Sequence, residues 1–131
     1  MRVIFSSYKS LSEDNVESVP FKVLLARSDI VSLHCPMTPD TRDMIGINEL
    51  RIMKRNALLI NTARGGLVNE SALLQALDEG LIAGAGFDVL TTEPPESSHP
   101  LLNVNRPNFI LTPHVAWTSD GAMQLLSLIH I

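Results

Sequence analysis

Short runs of aliphatic and β-branched residues recur along this chain, each followed by a stretch with helical spacing. That alternation is the strongest constraint on the fold. Strands apolar on both faces need helical crossovers, which cover the sheet and return the chain to a parallel neighbour. The runs predict strands at Val3 to Ser6, Asp29 to His34, Ala57 to Ile60, Ala83 to Val89 and Asn108 to Leu111. Between them, Phe21, Leu24 and Leu25 share one face of a helix from Pro20 to Arg27, with Pro20 tolerated in the first turn. Asn48 can cap a helix over Glu49 to Lys54, Asn69 one that runs to Glu79 and stops at Gly80, and Ser119 can start a last one. The expected fold class is α/β: a doubly wound parallel sheet with helices on both sides, in one domain without linker, repeat or low-complexity segment.

Composition removes several classes of function. A chain of 131 residues that is 45% hydrophobic can bury a core of its own. Its net charge of −4 gives no electrostatic footprint for nucleic acid or an anionic membrane, so neither is an expected partner. The one cysteine, Cys35, cannot form an intramolecular disulfide, and no Cys/His spacing suggests zinc, so no metal is expected. The start of the chain is too poor in apolar residues for a signal peptide, and no apolar run approaches the ~18 residues of a membrane span. A cytoplasmic location is the expectation.

In an open parallel sheet, ligands bind outside the carboxyl ends of the strands. Four of the expected strands run into polar chemistry there. One ends in His34-Cys35-Pro36, followed by Thr38 and Thr41; the next in Asn61-Thr62-Ala63-Arg64-Gly65-Gly66. A third leads to Asp88 and then Glu93-Pro94-Pro95, and a fourth to Thr112-Pro113-His114. Arg64 stands just ahead of a helix N-terminus, where the dipole prefers an anion, and its neighbouring glycines allow a tight turn and close approach to a ligand. Taken singly, each residue has a plainer reading: Arg64 and Glu93 as solvated loop residues, His114 as a turn residue, His34 as a satisfied core histidine. Their convergence on one sheet edge favours a cleft.

Arginine, carboxylate and histidine together suit the reduction of a 2-oxo acid. A guanidinium fork pairs the substrate carboxylate and polarises its carbonyl. A histidine titrates in the range needed to protonate the forming alkoxide, and a carboxylate beside it favours the protonated ring and fixes its tautomer. Hydride from a nicotinamide requires no metal.

At these residues the chain resembles the D-isomer-specific 2-hydroxyacid dehydrogenases. The resemblance is carried by Leu58 to Val68, by Gly84-Ala85-Gly86-Phe87-Asp88-Val89-Leu90, by Glu93-Pro94 and by Thr112-Pro113-His114, and it extends to about Leu125. Thr92-Glu93-Pro94-Pro95, His99-Pro100-Leu101-Leu102 and Pro113-His114-Val115-Ala116-Trp117 are most similar to its glycerate dehydrogenase (hydroxypyruvate reductase) branch. The resemblance implies an incomplete Rossmann-type domain of an oxidoreductase that uses NAD or NADP, with hydroxypyruvate and D-glycerate as the substrate pair. Glyoxylate, phosphohydroxypyruvate and D-lactate chemistry, or an NAD(H)-sensing corepressor role, are the alternatives. It implies Arg64 as substrate binder, His114 as acid/base, Glu93 as its partner, and Asp88 as holder of the nicotinamide carboxamide. His34, Cys35, Pro36 and Thr41 would line the adenosine side, with Thr62, Ala63 and Ala116 also near the cofactor. A homodimer is implied for the intact enzyme.

Two departures qualify this. The G-x-G-x-x-G fingerprint is absent; Gly84-x-Gly86 lies within a strand and lacks the third glycine and the following helix. The chain is therefore expected to represent, over residues 1–125, a partial NAD(P)-binding domain without its first βα unit or the substrate domain, and to be inactive alone. Second, Ser7 stands where an acidic residue usually holds the adenosine ribose, with Lys9 nearby, which opens NADP use; Michaelis constants for NADH and NADPH decide this. Residues 126–131 match the translation of a transposon-end adapter used in sequencing libraries, so they are expected to be non-native.

Overall fold

The structure, a computed structural model, describes residues 1–6, 17–103 and 106–129. Its centre is a four-stranded, all-parallel sheet formed by β3 (Ile30–Leu33), β4 (Leu58–Asn61), β5 (Gly84–Phe87) and β6 (Phe109–Leu111), hydrogen-bonded in that order. A separate parallel pair joins β1 (Ile4–Phe5) to β2 (Glu17–Ser18). Helices α1 (Phe21–Arg27), α2 (Ile47–Ile52) and α3 (Glu70–Asp78) connect the strands, a 3₁₀ turn occupies Pro100–Leu102, and α4 (Asp120–Ile129) follows β6.

Sequence chemistry accounts for the boundaries. Asn69 Oδ1 accepts the Ala72 N–H at 2.9 Å and starts α3. Gly80, at φ 62°, ends it, and the Leu81 N–H bonds back to Ala76 O at 2.8 Å in a Schellman closure. The expected cap at Asn48 is not used. Helix α2 begins earlier because Glu49 Oε2 accepts the Gly46 N–H at 3.1 Å, which leaves Asn48 inside the helix. The strand β2 was not foreseen: its two residues are both exposed and carry no apolar pattern.

Because the central strands advance in one direction, right-handed crossovers place their helices on one side. The core lies there: Val31, Leu33, Leu59 and Phe87 from the strands meet Leu25, Leu50, Leu73, Ala76 and Leu77 from the helices. The expectation of helices on both faces is met on this face. On the other, Ile30, Leu58 and Ile110 alternate with the core residues and are exposed. Among the described residues no helix is long and apolar enough to cross a membrane.

Candidate active site

All four central strands point the same way, so the residues after Leu33, Asn61, Phe87 and Leu111 lie along one edge. Arg64, Asp88, Glu93 and His114 are all delivered to that edge.

The loop after β4 is shaped by a residue that sequence reasoning passed over. Asn61 is 1% exposed. Its Oδ1 accepts the Ala63 N–H at 3.2 Å, and its Nδ2 donates to Arg64 O at 3.0 Å. This Asx-type turn projects the Arg64 side chain outward; its guanidinium donates to Ala63 O at 2.6 Å and has no acidic partner among the described residues. The next residue, Gly65, lies against the loop after β5. A Cβ there would stand 1.8 Å from Leu90 O, so only glycine permits this approach.

The carboxylate and the histidine meet directly. His114 Nδ1 and Glu93 Oε2 are 2.7 Å apart, with both side chains part-exposed. Glu93 Oε1 also accepts the Leu90 N–H at 2.9 Å. The Leu90 amide first, and His114 after it, hold the Glu93 carboxyl below the usual range against the opposing effect of burial. His114 itself has φ 55°, left-handed and uncommon for a residue with a side chain.

Asp88 supplies what holds that turn. It is 2% exposed. Its Oδ1 accepts the Thr112 hydroxyl and, at 2.8 Å, the Val115 N–H; its Oδ2 accepts the Ala116 N–H at 2.8 Å. Burial, the largest single influence, pushes this carboxyl up, but the Thr112, Ala116 and Val115 donors, with His114 behind them, bring it below the usual aspartate range. Three of about four acceptor positions are thus engaged with the protein.

The remaining expected site residues fall as follows. His34 is exposed and within 2.8 Å of Ser32 Oγ, so it is not a core histidine. Cys35 is half-buried with its Sγ 3.6 Å from Met44 Sδ, and burial pushes its thiol up. The Thr41 hydroxyl donates to Pro36 O and accepts the Thr38 N–H, both at 2.8 Å, so it shapes the loop after β3. Thr62 and Ala116 are exposed and Ala63 is half-buried on the same edge. Ser7 and Lys9 lie outside the described residues. Gly84 and Gly86 sit within β5, and a Cβ on Gly84 would meet Asn108 O at 2.6 Å, so these glycines serve strand packing.

Residues 1–116 match the family model of the D-isomer specific 2-hydroxyacid dehydrogenase NAD binding domain. The chain is 57% identical over 109 residues to the glycerate dehydrogenase of Methylorubrum extorquens, covering 83% of this chain and 35% of that protein. It is similar to the NAD-complexed D-isomer specific 2-hydroxyacid dehydrogenase of Lactobacillus delbrueckii ssp. bulgaricus (35% identity, TM-score 0.84, 98% of this chain and 43% of that one). A third relative is the NADPH-dependent glyoxylate/hydroxypyruvate reductase of Sinorhizobium meliloti, in complex with NADP and sulfate (31% identity, TM-score 0.81, 98% and 43%). The chain spans 35% and 41% of the lengths of the first two curated relatives. By matched residues, fold and site geometry together, the chain belongs to the D-isomer-specific 2-hydroxyacid dehydrogenase family, within its NAD-binding domain.

Proposed function

We propose that this chain supplies the cofactor-binding part of an enzyme that reduces a small 2-oxo acid to its D-2-hydroxy acid, with hydroxypyruvate and D-glycerate as the substrate pair. One observation carries the reading. An arginine without an acidic partner among the described residues and a joined carboxylate–histidine pair occupy the ends of neighbouring parallel strands on one sheet edge.

The residues present suit a nicotinamide. Asp88 keeps one acceptor position for an amide donor, and the Thr62 hydroxyl has no hydrogen-bond partner among the described residues. When bound, the reduced ring supplies hydride to the substrate carbonyl carbon. Arg64 binds the substrate carboxylate and draws electron density toward the carbonyl oxygen. His114 has Nδ1 committed to Glu93, so Nε2 is the nitrogen left to protonate the forming alkoxide. Glu93 stays ionised and orients the His114 ring through Nδ1. The glycerate dehydrogenase relative supports the hydroxypyruvate assignment; the choice between NADH and NADPH rests on Ser7 and Lys9.

The test uses protein expressed from the complete reading frame, with hydroxypyruvate and reduced nicotinamide. Arg64→Ala and His114→Ala should each lower kcat/KM about a hundredfold or more. Near-normal turnover by His114→Ala would overturn the catalytic assignment. Tight NADH binding with no turnover on hydroxypyruvate, glyoxylate or pyruvate would favour a sensing role instead.

A further inference from the structure

Glu70 opens helix α3, directly after the loop that carries Arg64. Its carboxylate reaches across to the loop after β5 at two points. Oε1 accepts the Thr91 N–H at 2.7 Å, and Oε2 lies 3.1 Å from His99 Nε2. The Glu70 and His99 side chains are 19% and 17% exposed, so this pair is largely shielded from water.

The tautomer follows from the second ring nitrogen. His99 Nδ1 accepts the Leu101 N–H at 3.3 Å at the start of the 3₁₀ turn, so the neutral ring carries its proton on Nε2 and donates it to Glu70. Two donors therefore converge on Glu70 from two points of one loop, and only a carboxylate accepts on both oxygens. Between those points lies Glu93. Thr91, held by Glu70, adjoins Leu90, whose N–H seats Glu93 Oε1, and Glu93 holds His114. Gly65 presses on the same Leu90–Thr91 peptide from the Arg64 side.

We propose that Glu70, with His99, is a positioning residue for the acid–base pair: it clamps the loop that seats Glu93 to the helix that begins beside Arg64. The clamp fixes the spacing between the substrate-binding arginine and His114. This inference rests on the roles given above to Arg64, Glu93 and His114.

Glu70→Gln is the discriminating change, since it preserves size but leaves the glutamine amide facing either the Thr91 N–H or the His99 Nε2–H. In the protein from the complete reading frame, kcat should fall about ten- to a hundredfold, the equivalent of one hydrogen bond to a charged group. The KM for hydroxypyruvate should stay within about twofold, because Arg64 keeps its carboxylate contact. A second readout needs no turnover: the Leu90 amide, which does not touch Glu70, should exchange about tenfold faster or more. His99→Asn keeps a capping acceptor for Leu101 and deletes only the arm to Glu70, so it should give the same pattern more weakly. Unchanged Leu90 exchange in Glu70→Gln, or a kcat loss that only tracks the folded fraction, would overturn the proposal. If wild-type protein shows no turnover, the catalytic reading fails, while Leu90 exchange still reports whether Glu70 seats Glu93.

Discussion

Asp88→Asn probes the turn that presents the histidine. The buried carboxylate receives the Thr112 hydroxyl and the Val115 and Ala116 amides, the last two at 2.8 Å each. Within that turn His114 adopts φ 55°, a conformation that costs a residue with a Cβ about 1–2 kcal/mol. Hydrogen bonds to an ionised acceptor contribute ~1.5–3 kcal/mol each, so three of them outweigh the strain. Asparagine changes this balance. It has one acceptor oxygen, and in either amide orientation its NH₂ faces a backbone N–H, that of Val115 or of Ala116. The variant therefore loses one charge-assisted bond and strands a buried donor, a combined loss of about 2–4 kcal/mol.

Urea unfolding of both proteins measures this loss as a lower midpoint with an unchanged slope. The pH dependence supplies a second check. Asp88 lies below its ordinary value of 3.8 in the folded chain. The stability it contributes is therefore complete above that value and is lost as pH falls through the lower folded value. Equal midpoints at neutral pH, or a wild-type advantage that persists unchanged into strong acid, would refute the role of Asp88 in holding this turn. Faster amide exchange at Val115 and Ala116 alone should accompany a correct result.

Gly65→Ala should force the Arg64 loop away from Leu90, because the new Cβ would stand 1.8 Å from Leu90 O and 2.2 Å from its carbonyl carbon. A loss of about 1–3 kcal/mol in unfolding free energy is expected, and a variant with wild-type stability would refute the close approach. Glu93→Gln should lower kcat about tenfold or more at neutral pH, since the carboxylate that holds His114 through Nδ1 is gone; Glu93 itself stays ionised to below its ordinary 4.5, so the wild-type pair loses that charge only in acid. An unchanged kcat in initial-rate assays would separate Glu93 from the proton transfer.

The strands of the central sheet were legible because burial selects aliphatic runs, and Asn69 and Gly80 announced the ends of α3 through local capping chemistry. Arg64, Glu93 and His114 stood out as candidates for a different reason: each alone reads as a loop or turn residue, but the strands of a parallel sheet bring all three to one edge. The strand β2 was hidden because two exposed residues pair there through backbone alone. The start of α2 was missed because Glu49 reaches back to Gly46 and so outcompetes the cap available at Asn48. The clamp between Glu70 and His99 joins residues 29 apart, and no local pattern marks such a contact.

The side chains that hold the site loops share one physical character. The two buried polar side chains among the described residues are Asn61 and Asp88, at 1% and 2% exposure, and neither is spent on the core. Asn61 bonds the backbone of the Arg64 loop; Asp88 bonds the backbone of the His114 turn. They are also joined to each other, since the Asp88 N–H donates to Asn61 O at 3.0 Å. A buried amide or carboxylate without partners costs several kcal/mol, so each is tolerable only while the loop it holds stays in place. The same desolvation that makes these residues costly makes their loops rigid. The exposed guanidinium and imidazole of this sheet edge therefore owe their placement to two buried side chains.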